Sequence, residues 1–248
     1  MRLTVLGCAG SFPGPEAPCS CYLIDAEGFR LLLDFGTGSM STLQRFAGLY
    51  SIDAILLTHL HPDHVLDAGQ YVVARRYAPG GPLPPLPVYA PVAAPERLAA
   101  AYGGPEESVT DVYTFYALQP GTFPIGPFQV TVDRVNHPVE TYGVRLEHGG
   151  RVLAYSADTA PCEALIRLAQ GADAFLCEAS YLDGMENPPD IHLTGREAAE
   201  HATKAGVGRL LLTHLVTAWG SEALTLEAAS SAYDGPIDIV RPGARYDI

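Results

Sequence analysis

The chain has 248 residues, of which 48% are hydrophobic and 9% aromatic, and a formal net charge of −13. That composition can bury a sizeable core and excludes disorder as the main state. No basic run exists, which argues against a sequence-blind grip on long nucleic acid, although a phosphate substrate stays open because metal ions can supply positive charge. The five cysteines are odd in number and few for this length, so a reducing cytoplasm is expected and a disulfide framework is not. Val5-Leu6-Gly7-Cys8 resembles a lipoprotein cleavage box, but it lies too near Met1 to follow a charged and an apolar segment, and no cleavage signal is expected.

Leu3 to Leu6 reads as a short apolar strand, followed by a Gly/Pro/Ser-rich loop to Pro18. Cys21 to Asp25 and Arg30 to Asp34 read as strands joined at Glu27-Gly28. Ser39 to Leu49 has helical spacing, with Met40, Leu43 and Phe46 on one face. Ile52 to Thr58 is an apolar strand that ends at a His/Asp cluster. A helix is expected over Asp67 to Ala78, then a proline-rich loop, a strand at Val88 to Ala90 and a helix over Pro91 to Tyr102. Val112 to Val132 carries no charge, but its three prolines and two glycines exclude a membrane helix. Phe128 to Val135, Tyr142 to Glu147 and Arg151 to Ser156 read as antiparallel strands. Beyond Asp158 the elements alternate: helix 161–170, strand 173–178, helix 194–206, strand 209–213, helix 221–233, strand 237–241. Strands with interposed helices, twice over, predict an α/β fold: an αββα sandwich of two packed mixed sheets with helices outside, as a single domain over 1–248.

Thr58-His59-Leu60-His61-Pro62-Asp63-His64 carries the strongest chemical signal. The chain has only eight histidines, and three of them fall in six consecutive positions after a strand. Imidazole and carboxylate suit divalent zinc, manganese or iron. Single residues at later strand ends extend the set: His137, Asp158 and His214. Together these seven could hold two ions with positions left for water. His148 and His201 are expected at the surface. Thr194 and Glu197 have the spacing of a capping box.

The cluster, followed by His137, Asp158 and His214 in that order, resembles the metallo-β-lactamase fold across essentially the whole chain. Within it, three segments are similar to the ribonuclease Z-like phosphodiesterase branch. Tyr155-Ser156-Ala157-Asp158-Thr159 resembles its Ser-Gly-Asp-Thr segment, with Ala157 in place of the usual glycine. Cys177-Glu178-Ala179-Ser180 stands where the branch has His-Glu-Ala-Thr, and His192-Leu193-Thr194 where it has a His-Ser-Thr-like triplet. Loop lengths most resemble the atypical class II cyclic-nucleotide phosphodiesterases. The resemblance implies that His59, His61 and His137 hold one metal, that Asp63, His64 and His214 hold a second, and that Asp158 bridges them, with zinc first among the metals. It implies opening of a small cyclic nucleotide, 3′,5′-cyclic AMP first, to the 5′-monophosphate by a hydroxide shared between the metals. Asp34 matches an outer partner that steadies the His cluster; its other reading is a turn residue before Gly36. Asp63 would orient that hydroxide. His192, held by Glu178, would protonate the leaving oxygen; its other reading is an ordinary loop residue.

The expected partner is therefore a small phosphodiester, with no long nucleic acid and no membrane; a homodimer is what the branch implies. One alternative is a ribonuclease Z-type tRNA 3′-processing endonuclease, which commonly carries a long arm between the third His motif and the bridging aspartate. Only 21 positions separate His137 from Asp158, so no arm fits there. The other alternative is a non-catalytic, metal-dependent nucleotide-binding protein. Arg75 and Arg76 could touch phosphate near the site or lie on a solvated helix face, and Trp219 could stack on a base or pack at the rim.

Overall fold

Fourteen strands form two seven-stranded sheets packed face to face in the computed structural model, which describes residues 1–248. The first sheet contains β1 (Arg2–Gly7), β2 (Cys21–Ala26), β3 (Phe29–Leu33), β4 (Ala54–Leu56), β5 (Leu86–Ala90) and β6 (Tyr113–Ala117) in chain order. The second contains β7 (Gly121–Ile125), β8 (Phe128–Arg134), β9 (Tyr142–His148), β10 (Arg151–Tyr155), β11 (Ala174–Glu178), β12 (Leu210–Thr213) and β13 (Ile237–Ile239), neighbour to neighbour. The last strand, β14 (Arg245–Asp247), returns to pair with β1 at the edge of the first sheet. Each sheet is antiparallel at its start and parallel from β3 or β10 onward.

Strands β1 to β4 and β10 to β12 are buried on both faces for most of their length, so they read as continuous apolar runs. In β2, Tyr22 and Ile24 point between the sheets, while Cys21 and Leu23 point to the outer helices. The same alternation in β3 sends Leu31 and Leu33 inward and Leu32 outward. A cluster of 24 buried residues fills the space between the sheets. Helices α1 (Ser39–Phe46), α2 (Pro62–Arg76) and α3 (Ala94–Tyr102) cover the first sheet, and α4 (Glu163–Ala169), α5 (Gly195–Ala205) and α6 (Glu222–Ser230) cover the second. This is the expected αββα order of layers. No helix is long and apolar enough to cross a membrane.

Several boundaries differ from the sequence reading. Helix α2 begins at Pro62, five residues before the expected start. Proline is pre-organised for the first helical position, but the polar residues after it masked the helical spacing. Strands β6 and β7 lie inside the uncharged proline-containing stretch and were not anticipated. They are the edge strands of their sheets, which is where the Pro124 of β7 is tolerated. The Glu27-Gly28 turn is confirmed, with φ of 53° and 81° at the two positions, as a two-residue hairpin of this hand requires. The capping box is also present: Thr194 Oγ1 accepts from Glu197 N at 3.3 Å, and Glu197 Oε2 accepts from Thr194 N at 2.9 Å.

His201 and His148 are corrected. His201 is buried on α5, with Nδ1 2.7 Å from the Glu197 carbonyl. His148 is half-buried, edge-on to Phe128 with ring centroids 5.8 Å apart. Arg75 and Arg76 are tethers. Arg75 is buried and donates to the Pro84 carbonyl at 2.7 Å, which secures the proline-rich loop. Arg76 donates to Asp111 and to the Ser108 carbonyl. Trp219 lies on a single 3-10 turn, Thr217–Trp219, and is 54% exposed.

Candidate metal centre

The C-terminal ends of β3, β4, β8, β10, β11 and β12 share one edge of the sandwich, where ligand sites of such sheets form. Asp34 follows β3, His59 and His61 lie on the loop after β4, and His137 follows β8. Asp158 follows β10, Glu178 closes β11, and His214 follows β12. Asp63 and His64 occupy the first turn of α2, so helix geometry and not a loop aims them. Two close approaches fix this edge. A Cβ on Gly36 would lie 1.9 Å from the Asp63 carbonyl oxygen, and one on Gly10 would lie 2.3 Å from that of His214. His214 itself has a φ of 58° and Asp34 one of 59°, strained values at the ends of strands.

All seven predicted ligands converge. One group of facing atoms comes from His59, His61, His137 and Asp158, and a second from Asp63, His64, Asp158 and His214. His61 Nδ1 is 3.2 Å from both His59 Nε2 and His137 Nε2. His64 Nε2 is 3.2 Å from His214 Nε2, and His214 Nε2 is 3.1 Å from Asp63 Oδ2. Asp158 lies between the groups, with Oδ1 3.2 Å from His64 Nε2 and Oδ2 3.6 Å from His59 Nε2.

The outer atoms of the same rings are engaged elsewhere. His64 Nδ1 donates to Asp34 Oδ2 at 2.8 Å, His137 Nδ1 to the Ile191 carbonyl at 2.9 Å, and His214 Nδ1 to Ser180 Oγ at 2.8 Å. Those bonds leave lone pairs on the inward nitrogens. Facing lone pairs at 3.2 Å, beside carboxylates, are stable only around a proton or a cation. Asp158 Oδ1 is buried and receives no hydrogen bond. The donor set, imidazole plus carboxylate, suits a divalent ion, so the residues present fit one.

The electrostatics agree. Burial, followed by the neighbouring His64, pushes His59 well below the usual imidazole range. Burial would lower His64 too, but the Asp158 and Asp34 carboxylates outweigh it and raise that ring well above its ordinary value. Burial would raise the Asp158 carboxyl, yet His214, His64 and His59 hold it well below the carboxylate range.

Beside the cluster, His192 Nδ1 donates to Glu178 Oε1 at 2.9 Å. Glu178 is fully buried and is itself fixed by the backbone N–H groups of Thr159 (2.7 Å), Ser180 and Leu193 (3.3 Å each). Desolvation opposes charge on His192, but Glu178, by its charge and its hydrogen bond, raises it to about 9. Asp34 is resolved in favour of the outer-partner reading: it accepts from Thr58 N, Thr58 Oγ1, His64 Nδ1 and Tyr155 Oη. The sequence reading did not single out Ser180, Thr58 or Ser11, whose N–H donates to Asp63 Oδ2 at 2.8 Å. Thr58 and Ser180 each lie within two residues of an assigned group, and that adjacency was the available signal. Cys19 and Cys21 are buried and join no ligand cluster.

Comparison with known proteins gives a consistent picture. A family model described as a β-lactamase superfamily domain matches residues 29–215. An uncharacterized protein of Mycobacterium leprae, ML1173, is 41% identical over 254 residues, covering 100% of this chain and 89% of that protein. The probable metallo-hydrolase YhfI of Bacillus subtilis is 30% identical over 98% of both chains. Its crystal structure superposes with a TM-score of 0.88 over 99% of this chain and 98% of that one. A ribonuclease Z of Mycolicibacterium gilvum is 32% identical over 279 aligned residues, covering 96% of this chain and 93% of the enzyme. The sandwich, the converging His and Asp side chains and these matches agree: the chain belongs to the β-lactamase superfamily and has the metallo-β-lactamase fold.

Proposed function

We propose that the protein is a metal-dependent phosphodiesterase that opens small cyclic nucleotides, 3′,5′-cyclic AMP first, to nucleoside 5′-monophosphates. The observation that carries this reading is the Glu178–His192 pair, buried against a cluster that can hold two divalent ions. His59, His61 and His137 would hold one ion and Asp63, His64 and His214 the other, with Asp158 shared; zinc is the first choice for this donor set, with manganese and iron next. Such ions supply Lewis acidity at the phosphate and a nucleophilic water at neutral pH.

The chain's own residues then divide the remaining work. Asp63, anchored by the Ser11 N–H, orients the attacking water. His192 carries a proton at neutral pH because Glu178 stabilises its charged form. Its Nδ1 is occupied by Glu178, so Nε2 is the atom that delivers a proton to the departing ribose oxygen. Glu178, fixed by its three backbone N–H donors, keeps the imidazole turned toward the site.

A second reading, tRNA 3′-end processing, is favoured by the ribonuclease Z likeness. Against it, the alignment with the M. gilvum enzyme runs to 279 residues where this chain has 248, so that enzyme carries segments with no counterpart here. The β9–β10 hairpin closes on Gly149-Gly150, and the β11–α5 connection spans only 179–194. With a net charge of −13, neither connection offers a basic arm for tRNA. A panel of phosphodiesters assayed with added zinc, manganese or iron decides the matter. Turnover of a cyclic nucleotide with little cleavage of precursor tRNA supports the proposal; efficient trimming of tRNA trailers overturns it, and metal-dependent binding without turnover identifies a binding protein.

A further inference from the structure

The space between the sheets is apolar, yet two buried hydroxyls cross it in opposite directions. Tyr22, from β2 of the first sheet, places its Oη 2.6 Å from Thr213 Oγ1. Thr213 ends β12 of the second sheet and is the residue before His214. Tyr155, from β10 of the second sheet, donates to Asp34 Oδ2 at 2.9 Å. That oxygen, at the end of β3 in the first sheet, is the one that also accepts from His64 Nδ1 at 2.8 Å. The two rings meet edge to face, with centroids 5.1 Å apart and planes at 61°.

We infer that Tyr22 and Tyr155 are positioning residues that form a crossed clasp, setting the approach of His64 to His214 and thereby the affinity of the second metal position. The inference rests on the two-ion reading above. Each sheet sends one tyrosine to the group that governs the other sheet's histidine at that position. Phenylalanine would fill nearly the same volume, and a buried hydroxyl is costly unless bonded. Here each hydroxyl is bonded to a residue that holds or adjoins a ligand. All four residues of the clasp are buried, so water cannot replace a lost bond.

The first position is built differently. His137 Nδ1 rests on the Ile191 carbonyl, and His59 Nδ1 lies 3.2 Å from Thr58 Oγ1. Tyr22 bonds to neither partner. Tyr155 meets Thr58 only through Asp34, whose Oδ2 also accepts from Thr58 Oγ1 at 3.0 Å; Thr58 keeps Oδ1 through its N–H at 2.8 Å and its hydroxyl at 3.0 Å. Breaking the clasp should therefore weaken the second ion more than the first, and the Tyr22 half should spare the first altogether.

The test is a chelator-buffered Zn²⁺ titration of metal-free protein, with bound metal counted by elemental analysis. Parent, Tyr22→Phe, Tyr155→Phe and the double variant are compared well below their melting temperatures. The first ion should bind Tyr22→Phe as it binds the parent and should weaken less than the second in the Tyr155→Phe variants; the second should bind about tenfold or more weakly in each, as on loss of other outer partners. If Tyr22→Phe does not fold, Thr213→Val breaks the same bond from its other end and carries the same expectation. A parent that takes two ions, with variants that hold both as tightly or lose both equally, overturns the clasp while sparing the two-ion reading. A parent that takes one ion only overturns both.

Discussion

His137 and His192 are governed by adjacent positions of one connection. The Ile191 carbonyl accepts from His137 Nδ1 at 2.9 Å, and the next residue, His192, donates to Glu178 Oε1 at 2.9 Å. The two rings stand 5.6 Å apart, centroid to centroid. The segment that orients a ligand of the first metal position thus also carries the proposed proton donor. Asn136 Nδ2 fastens the same segment through Asp190 Oδ1 at 2.9 Å. One piece of backbone consequently sets the orientation of both rings.

His192→Ala should leave both metals in place, because His192 lies outside both ligand groups proposed for the ions. Turnover of a cyclic nucleotide should fall by about 10²–10⁴-fold, the usual loss for a general acid. The loss should shrink for a nitrophenyl ester, whose leaving group departs without a proton. Metal analysis and the two rates check this. A stripped metal would make His192 a ligand, and equal losses on both substrates would assign it to phosphate binding.

Asp158→Ala should empty both metal positions. Asp158 faces His64 and His214 with Oδ1, at 3.2 and 3.4 Å, and His59 with Oδ2 at 3.6 Å. It is the only carboxylate that belongs to both ligand groups. Elemental analysis after mild dialysis is the check. Retention of one tightly held ion would falsify the bridging role.

The parts of this centre legible in the sequence are those written locally. The run His59 to His64 stands out by density, and His137, Asp158 and His214 stand out because each follows a recognisable strand. The capping box at Thr194 was equally legible, since its two partners are three residues apart. What was hidden depends on contacts between distant segments. Asp34 is 30 positions from His64, so it stood between a turn residue and an outer partner until the fold brought the two together. Tyr22 and Tyr155 read as ordinary core residues, because a bond across two sheets leaves no periodic trace. Arg75 and Arg76 looked solvated because their acceptors, at Pro84, Ser108 and Asp111, lie in loops whose paths only the fold defines.

Gly36→Ala should damage the centre without touching any ligand side chain. Its added methyl would lie 1.9 Å from the Asp63 carbonyl oxygen and 2.6 Å from that carbon, and backbone at a helix start cannot swing aside as a side chain can. Displacing the first turn of α2 moves Asp63 and His64 together. The expected cost is roughly 1–3 kcal/mol, typical of forcing volume into a packed site. Thermal melts of the metal-free form, paired with metal content, check it. Unchanged melting and full metal content would show that the α2 start can yield.

The pH dependence follows from His192. Burial opposes its charge, but Glu178 raises it to about 9. The protonated ring is the working form of a general acid. Turnover of a poor leaving group should therefore hold through neutral pH and decline as pH rises through the folded value. Cations in the centre repel that charge, so in the metal-loaded enzyme the falling limb should lie at or below about 9. Glu178→Gln removes the stabilising carboxylate and should shift the limb downward, toward the ordinary imidazole value of about 6.5. A nitrophenyl substrate should lack this limb. The same shift has a thermodynamic sign. A folded value above the unfolded one contributes stability that is fully present below about 6.5 and is lost as pH rises through about 9. Metal-free His192→Ala should accordingly melt further below the metal-free parent at pH 6 than at pH 10. A difference that stays constant, or grows with pH, would mean that Glu178 does not hold a charged His192.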